Sequence, residues 1–168
     1  MLAPESPGRL SAAVLVVSDE VVSGADADRG GPVAVGLLDD LGVAATKAAV
    51  PDDPARIRTA IAEAIAAGAR VVLACGGTGI GPNDHTADVV AGLLSYEMPG
   101  IAEEIRRQGY GHTPVALVSR EIAGVDPTLL RRWSQRDKTW DILHKYGHDY
   151  KVIFVGDASM SPYEITHP

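Results

Sequence analysis

Uninterrupted apolar runs and spaced apolar stripes alternate along the chain, and that alternation predicts strands and helices in turn. Residues 12–17 (Ala-Ala-Val-Leu-Val-Val) read as a strand buried on both faces of a parallel sheet. Ser18 to Gly31 reads as a long polar loop. Pro32 suits the first position of a helix with the stripe Val33, Leu37, Leu38 and Leu41, and Gly42 suits its end. A weaker strand runs up to Val50 and stops at Pro51. Asp53-Pro54 has the form of an N-cap followed by the first helical residue, and Ile57, Ile61 and Ile65 carry that helix's core stripe to Gly68. Residues 70–75 predict another strand, which runs into Gly76-Gly77-Thr78-Gly79. Thr86 is placed to cap a helix carrying Val89, Val90, Leu93 and Leu94, and Pro99 to open one carrying Ile101 and Ile105 that closes near Gly109. Residues 115–118 read as a fourth short strand. Leu129, Leu130, Trp133, Trp140 and Leu143 suggest a last helix ending at Gly147, and residues 151–155 a last strand broken by Gly156-Asp157. The expected fold is α/β: a doubly wound, mostly parallel sheet with helices on both faces.

Composition sharpens this in two ways. The 168 residues are enough for one ordinary domain, and no apolar run approaches the ~18–20 residues of a membrane span. No basic segment precedes the first apolar run, so no secretory signal is expected. The net charge of −7 argues against a general nucleic-acid binder, and the single cysteine excludes an intramolecular disulfide. A cytoplasmic protein with no membrane or nucleic-acid partner is the expectation. The second change is a break in composition. Residues 1–125 hold 23 alanines and two aromatics, Tyr96 and Tyr110, whereas residues 126–168 hold one alanine and six aromatics. The whole net charge lies in the first part. The expected organisation is a flexible leader over 1–10, an α/β core over 11–125 and an atypical C-terminal segment over 126–168 that is not an independent domain.

Three polar clusters follow the predicted strands: Ser18-Asp19, Pro51-Asp52-Asp53 and Gly76-Gly77-Thr78-Gly79. Parallel strands place all three on one edge of the sheet, where open α/β folds bind ligands. The glycine loop lets backbone amides approach an anion, Thr78 adds a hydroxyl, and the helix beginning near Thr86 turns its positive end the same way. A phosphate or pyrophosphate fits there; a tight strand-to-helix connection without a ligand is the alternative. It is neither a Walker loop nor a dinucleotide fingerprint. Asp52 and Asp84 are the candidate pair of carboxylates for Mg²⁺, which binds through one or two carboxylates plus substrate phosphates. The structural alternative for Asp84 is a second cap on the following helix. Cys75 reads as a core thiol, and His85 as a phosphate donor or a plain loop residue. His144 and His148 are spaced for a metal, but Gly147 interrupts the helix between them; Asp157-Ala158-Ser159-Met160-Ser161 reads as a turn or a set of oxygen ligands.

Eight pieces of wording, in order, carry a resemblance. They are Val-Val-Ser-Asp (16–19), Ser-Gly (23–24), Asp-Arg-Gly-Gly-Pro (28–32), Val-Pro-Asp-Asp (50–53), Gly-Gly-Thr-Gly (76–79), Asn-Asp-His-Thr (83–86), Glu-Met-Pro-Gly (97–100) and Leu-Val-Ser-Arg (117–120). On these pieces, residues 12–125 resemble the Mog/MoaB family of molybdenum-cofactor biosynthesis. The resemblance implies a usually trimeric α/β protein that binds molybdopterin. In the Mog branch it implies transfer of AMP from MgATP to the molybdopterin phosphate. In the MoaB-like alternative the pterin is held without catalysis. The family's key acidic positions fall on Asp52 and Asp84, as catalytic residues and Mg²⁺ ligands. Phosphate, pterin and nucleotide contacts fall on Ser18, Asp19, Ser23, Gly24, Gly76, Gly77, Thr78, Gly79, Thr86, Met98, Pro99 and Ser119.

Three departures qualify the resemblance. Glu20 and His85 stand where the family often has Arg, which removes fixed positive charge beside an anionic substrate. After Val125 the family's next strand, its Asn-x-Pro-Gly-x-Pro-like loop and its C-terminal helix are missing from the sequence. In their place residues 139–168 resemble an internal piece of CoxE-like von Willebrand A-type proteins. A folded shell inactivated by this replacement is the third expectation.

Overall fold

A computed structural model describes residues 10–125 and 152–156 of the chain. Its centre is β1 (Ser11–Val17), which pairs in parallel with β2 (Ala44–Val50) on one side and with β3 (Val71–Cys75) on the other. The chain therefore steps outward from β1 in both directions. That reversal makes a crevice at the carboxyl ends of β1 and β3, the position where open α/β sheets take ligands.

Alternate side chains of β1 feed two separate cores, as strand geometry requires. Ala13, Leu15 and Val17 pack with Ile57 and Ile61 of α3 (Pro54–Ala66) and with Val89 and Val90 of α4 (Thr86–Ala91). Val14 and Val16 pack with Val21 of α1 (Asp19–Ser23) and with Ala34, Val35 and Leu38 of α2 (Gly30–Asp40). Helices thus cover both faces, which is why β1 is apolar at every position from Ala12 to Val17. No helix among the described residues is long and apolar enough to cross a membrane.

The expected last strand, 151–155, is present as Val152–Gly156 on the far side of the sheet. The strand order is β2-β1-β3-β6-β5-β4, with β4 (Tyr96–Glu97), β5 (Ile122–Val125) and β6 (Val152–Gly156). β6 comes from the segment whose wording departs from the family, yet it lies inside the sheet. It runs parallel to β3, from Val71↔Val152 to Cys75↔Gly156, and antiparallel to β5, from Val125↔Val152 to Ile122↔Val155. β5 does not touch β3; β6 is the strand that joins them.

Several expectations need correction. Residues 115–118 are not a strand but part of a 3-10 helix, Pro114–Val118. Thr113 accepts a hydrogen bond from the Val115 N–H, Pro114 supplies a helical φ, and only Ala116 is turned inward. The stretch from Ser18 to Gly31 is not all loop, because Ser18 caps α1 through the Val21 N–H and Gly24, at φ 76°, ends it. α2 starts at Gly30, and of its expected stripe only Leu38 packs on the core; Val33, Leu37 and Leu41 are exposed. Its inner face is built on Ala34, small enough for the helix to sit close to β1. β4 and β5, which were not expected, lie at the opposite end of the sheet from β2, with α5 (Pro99–Tyr110), which runs as expected, beside β5. Residues 1–9 of the expected 1–10 leader, the expected helix ending at Gly147, the His144–His148 pair and the 157–161 pattern lie outside the described residues.

Candidate functional site

The three polar clusters meet at the β1/β3 crevice. Directly after β1, Ser18 accepts from the Val21 N–H at 3.2 Å and donates to Glu20 Oε2 at 2.8 Å. Asp19 and Asp52 are tied backbone to side chain in both directions. The Asp19 N–H donates to Asp52 Oδ2 at 3.0 Å and the Asp52 N–H to Asp19 Oδ1 at 3.1 Å. Asp53 caps α3 through the Arg56 N–H, as its position before Pro54 predicts, so Asp52 is left for the crevice.

The glycine loop can come this close only because it lacks side chains. A Cβ on Gly76 (φ 102°) would lie 2.2 Å from the Val17 carbonyl oxygen. A Cβ on Gly77 (φ 64°) would lie 2.3 Å from Thr86 Oγ1 and 3.3 Å from Asp52 Oδ1. A Cβ on Gly79 would lie 2.7 Å from Asp84 Oδ2. Asp52 and Asp84 therefore flank one stretch of bare backbone. Asp84 does not cap α4. Its Oδ2 accepts from the Gly81 N–H at 2.7 Å, closing a turn over residues 81–84.

Thr86 also differs from expectation. It is the first residue of α4, not its cap; His85 holds the cap position without a side-chain bond. The Thr86 N–H donates to the Gly77 carbonyl at 3.1 Å. Its side chain is fully buried, and Oγ1 has no hydrogen-bond partner. A buried hydroxyl left unpaired beside Asp52 and Gly77 costs stability until something accepts or donates there.

Electrostatics at this edge are strained. Burial pushes the Asp52 carboxyl above its ordinary range, against the hydrogen bond from the Asp19 N–H, and the charges of Asp19, Glu20 and Asp84 push it further up. Glu20 goes the other way: hydrogen bonds from its own backbone and from Ser18 hold it below the usual carboxylate range. Among the described residues no group of three or more His, Cys, Asp or Glu side chains gathers to hold a metal. The two carboxylates alone fit a hard cation that takes its other oxygens from phosphate and water.

Two clefts open on either side of Gly76. One, of about 230 Å³, runs along the glycine loop and Asp84 under Val115, Val118 and Ser119. Ser119 Oγ donates to Thr78 Oγ1 at 3.3 Å across it. The other, of about 320 Å³, lies between Ser18, Val21 and the loop carrying Asp28 and Arg29. Ser23 and Gly24 line neither cleft; they close α1, Ser23 through the Glu20 carbonyl and Gly24 through its left-handed φ. Met98 and Pro99 line neither as well. They start α5 at the outer side of the sheet, where the Met98 N–H donates to the Ala123 carbonyl at 2.7 Å.

Sequence reasoning passed over two cations and an acid here. Arg120 reaches back to the glycine loop, and Lys47 pairs with Asp28, whose Oδ1 accepts from the Gly31 N–H. Arg120 and Asp28 lie within quoted motifs, so the signal was present. Lys47 is a lone charge in an alanine-rich strand and carries none.

Comparison with known proteins shows the family. Residues 13–130 match the family described as a probable molybdopterin binding domain. The molybdenum cofactor biosynthesis bifunctional protein of Synechococcus elongatus is 41% identical over 110 residues, 65% of this chain and 34% of that one. The chain thus spans about a third of the length of that relative. The molybdopterin adenylyltransferase of Pyrococcus furiosus is 34% identical over 122 residues, 72% of each chain. The solved structure of the tungsten cofactor synthesizing protein MoaB from Pyrococcus furiosus superposes with a TM-score of 0.73 at 27% identity, over 94% of this chain and 87% of that one.

Proposed function

The chain belongs to the family of probable molybdopterin binding domains, and on that premise we propose that it acts in molybdenum cofactor biosynthesis as a molybdopterin adenylyltransferase. The observation that carries this reading is the pair Asp52 and Asp84 flanking the bare 76–79 backbone, Asp52 at Gly77 and Asp84 at Gly79, with the unpartnered Thr86 hydroxyl also at Gly77. Adenylyl transfer brings two polyanions together, and in a protein of net charge −7 their charge has to be offset at the site itself.

In the proposed reaction a phosphate oxygen of molybdopterin attacks the α-phosphorus of ATP. The bond from that phosphorus to the bridging oxygen breaks, and pyrophosphate leaves. Asp52 and Asp84 hold Mg²⁺, which supplies neutralisation of phosphate charge. The amides of Gly76, Gly77 and Gly79 and the hydroxyls of Thr78, Thr86 and Ser119 orient the phosphates. Ser18, Asp19, Ser23, Gly24, Met98 and Pro99 complete the pterin and nucleotide contacts, the last five from outside the two clefts. The chain works as a cytoplasmic homotrimer, and the exposed apolar Val115, Leu117 and Val118 support self-association. Pyrophosphate release from MgATP only on addition of molybdopterin tests the reading; a folded trimer that releases none overturns it.

A second reading is favoured by Glu20. Its ionised carboxylate sits beside Ser18 on the edge that would receive a phosphate, where family members often carry Arg. The chain then holds the pterin without transferring AMP. Saturable pterin binding without pyrophosphate release distinguishes it.

A further inference from the structure

Arg120 follows the 3-10 helix and reaches across 41 residues of sequence to the glycine loop. Its N–H donates to the Thr78 carbonyl at 2.8 Å and its Nε to the Gly79 carbonyl at 2.7 Å. Nη2 donates to the Asp84 carbonyl, and Nη1 to both Asp88 oxygens at 2.9 Å. One residue thus grips the backbone at 78, 79 and 84. Arg120 does not line the cleft along that backbone, so it acts from behind the loop.

The turn it grips is otherwise closed on itself. Asp84 Oδ2 takes the Gly81 N–H, and the Asp84 N–H donates to the Gly81 carbonyl at 3.1 Å. Those two bonds shape the turn but do not fix where it sits. Arg120 holds its two ends, Gly79 and Asp84, in one planar fork. A guanidinium serves several acceptors at fixed angles, whereas an ammonium on a flexible stem does not. The ion pair to Asp88 is mostly exposed, with Asp88 68% accessible, so it contributes little by itself.

We infer that Arg120 is the positioning residue of this site. By occupying the Gly79 and Asp84 carbonyls from behind, it keeps the Asp84 carboxylate against the glycine loop in the geometry a cation-bridged phosphate needs. The inference rests on the function proposed above, and its test separates the two.

The test compares the intact chain with Arg120→Lys and Asp88→Asn. Amide hydrogen exchange without ligand reads positioning alone, and titration with MgATP reads its use. In Arg120→Lys the amides of Gly81, Asp84 and Thr86 exchange about tenfold faster, the loss of a charged hydrogen bond, while those of Val14 and Val72 in the sheet do not change. MgATP affinity falls about tenfold in the same variant. Asp88→Asn keeps both carbonyl bonds and stays within about twofold of the parent on both measures. Unchanged exchange over residues 81–86 in Arg120→Lys overturns the inference, and so does an Asp88→Asn variant as impaired as Arg120→Lys. If the parent chain fails to bind MgATP, the proposed function falls while the exchange result still decides the role of Arg120.

Discussion

Asp19 and Asp52, 33 residues apart, each accept the other's main-chain N–H, at 3.0 and 3.1 Å. The ends of β1 and β2 are thereby locked together by two acidic side chains. The lock stabilises backbone at the cost of packing like charges at the crevice.

That cost sets a pH dependence. Burial and three neighbouring carboxylates raise Asp52 above its ordinary value of 3.8 in the folded state. A group raised on folding contributes stability below its unfolded value, and the contribution is lost as pH rises through the folded one. Asp52→Asn keeps an oxygen for the Asp19 N–H and removes the charge. We expect its melting temperature to match the parent below about pH 3.8 and to rise above it progressively towards neutrality. Thermal melts across acid to neutral pH check this; a variant less stable than the parent at neutral pH contradicts it.

Gly76 and Gly77 respond differently to alanine, although both have positive φ. At Gly76 the added carbon meets the Val17 backbone, which belongs to the central strand and cannot yield. At Gly77 it meets the Thr86 hydroxyl, a side chain able to rotate. Gly76→Ala should lose about 3 kcal/mol or more of unfolding free energy and Gly77→Ala about 1–2 kcal/mol, measured by urea denaturation. Equal losses at the two positions contradict the distinction.

Asp84→Asn separates charge from architecture. The amide oxygen still accepts the Gly81 N–H, so the 81–84 turn survives and stability changes by about 0.5 kcal/mol or less. Magnesium-dependent binding of ATP should weaken at least about tenfold, as expected when one of two carboxylate ligands is lost. Calorimetric titration of MgATP against ATP with chelator reads the difference; an unaltered magnesium dependence removes Asp84 from the metal site.

A proline within β6 tests how far the C-terminal segment belongs to the sheet. β6 pairs on both edges, with β3 and with β5, so Phe154→Pro removes a ladder hydrogen bond from an interior strand. A loss of about 3 kcal/mol or outright unfolding is expected in a urea titration. Stability equal to the parent shows that residues 152–156 are dispensable.

The strands β1, β2, β3 and β6 are readable in the sequence, whereas β4 and β5 are not. The run 12–17 and the Ile57-Ile61-Ile65 stripe declare themselves because β1 and α3 bury whole faces. Asp53 and Pro54 mark a helix start by local chemistry alone. The 115–118 run misleads because its apolar residues are mostly exposed, so hydrophobicity does not report burial there. α1, β4 and β5 are too short to show a period, and they are set by caps and neighbours. The gathering of Ser18, Asp52 and the glycine loop on one edge follows from parallel strand direction. The grip of Arg120 does not, because it depends on a chain reversal far along the sequence.

β6 also carries a consequence for how the protein comes into being. β4 and β5 reach β3 only through a strand made at residues 152–156. During synthesis the N-terminal strands emerge first, and the edge of β3 stays open while a further stretch of chain leaves the ribosome. Until β6 arrives, the nascent protein shows an unpaired strand edge beside the finished half of its sheet, the kind of surface that recruits other strands. Among the described residues the completion of this sheet is therefore timed by β6.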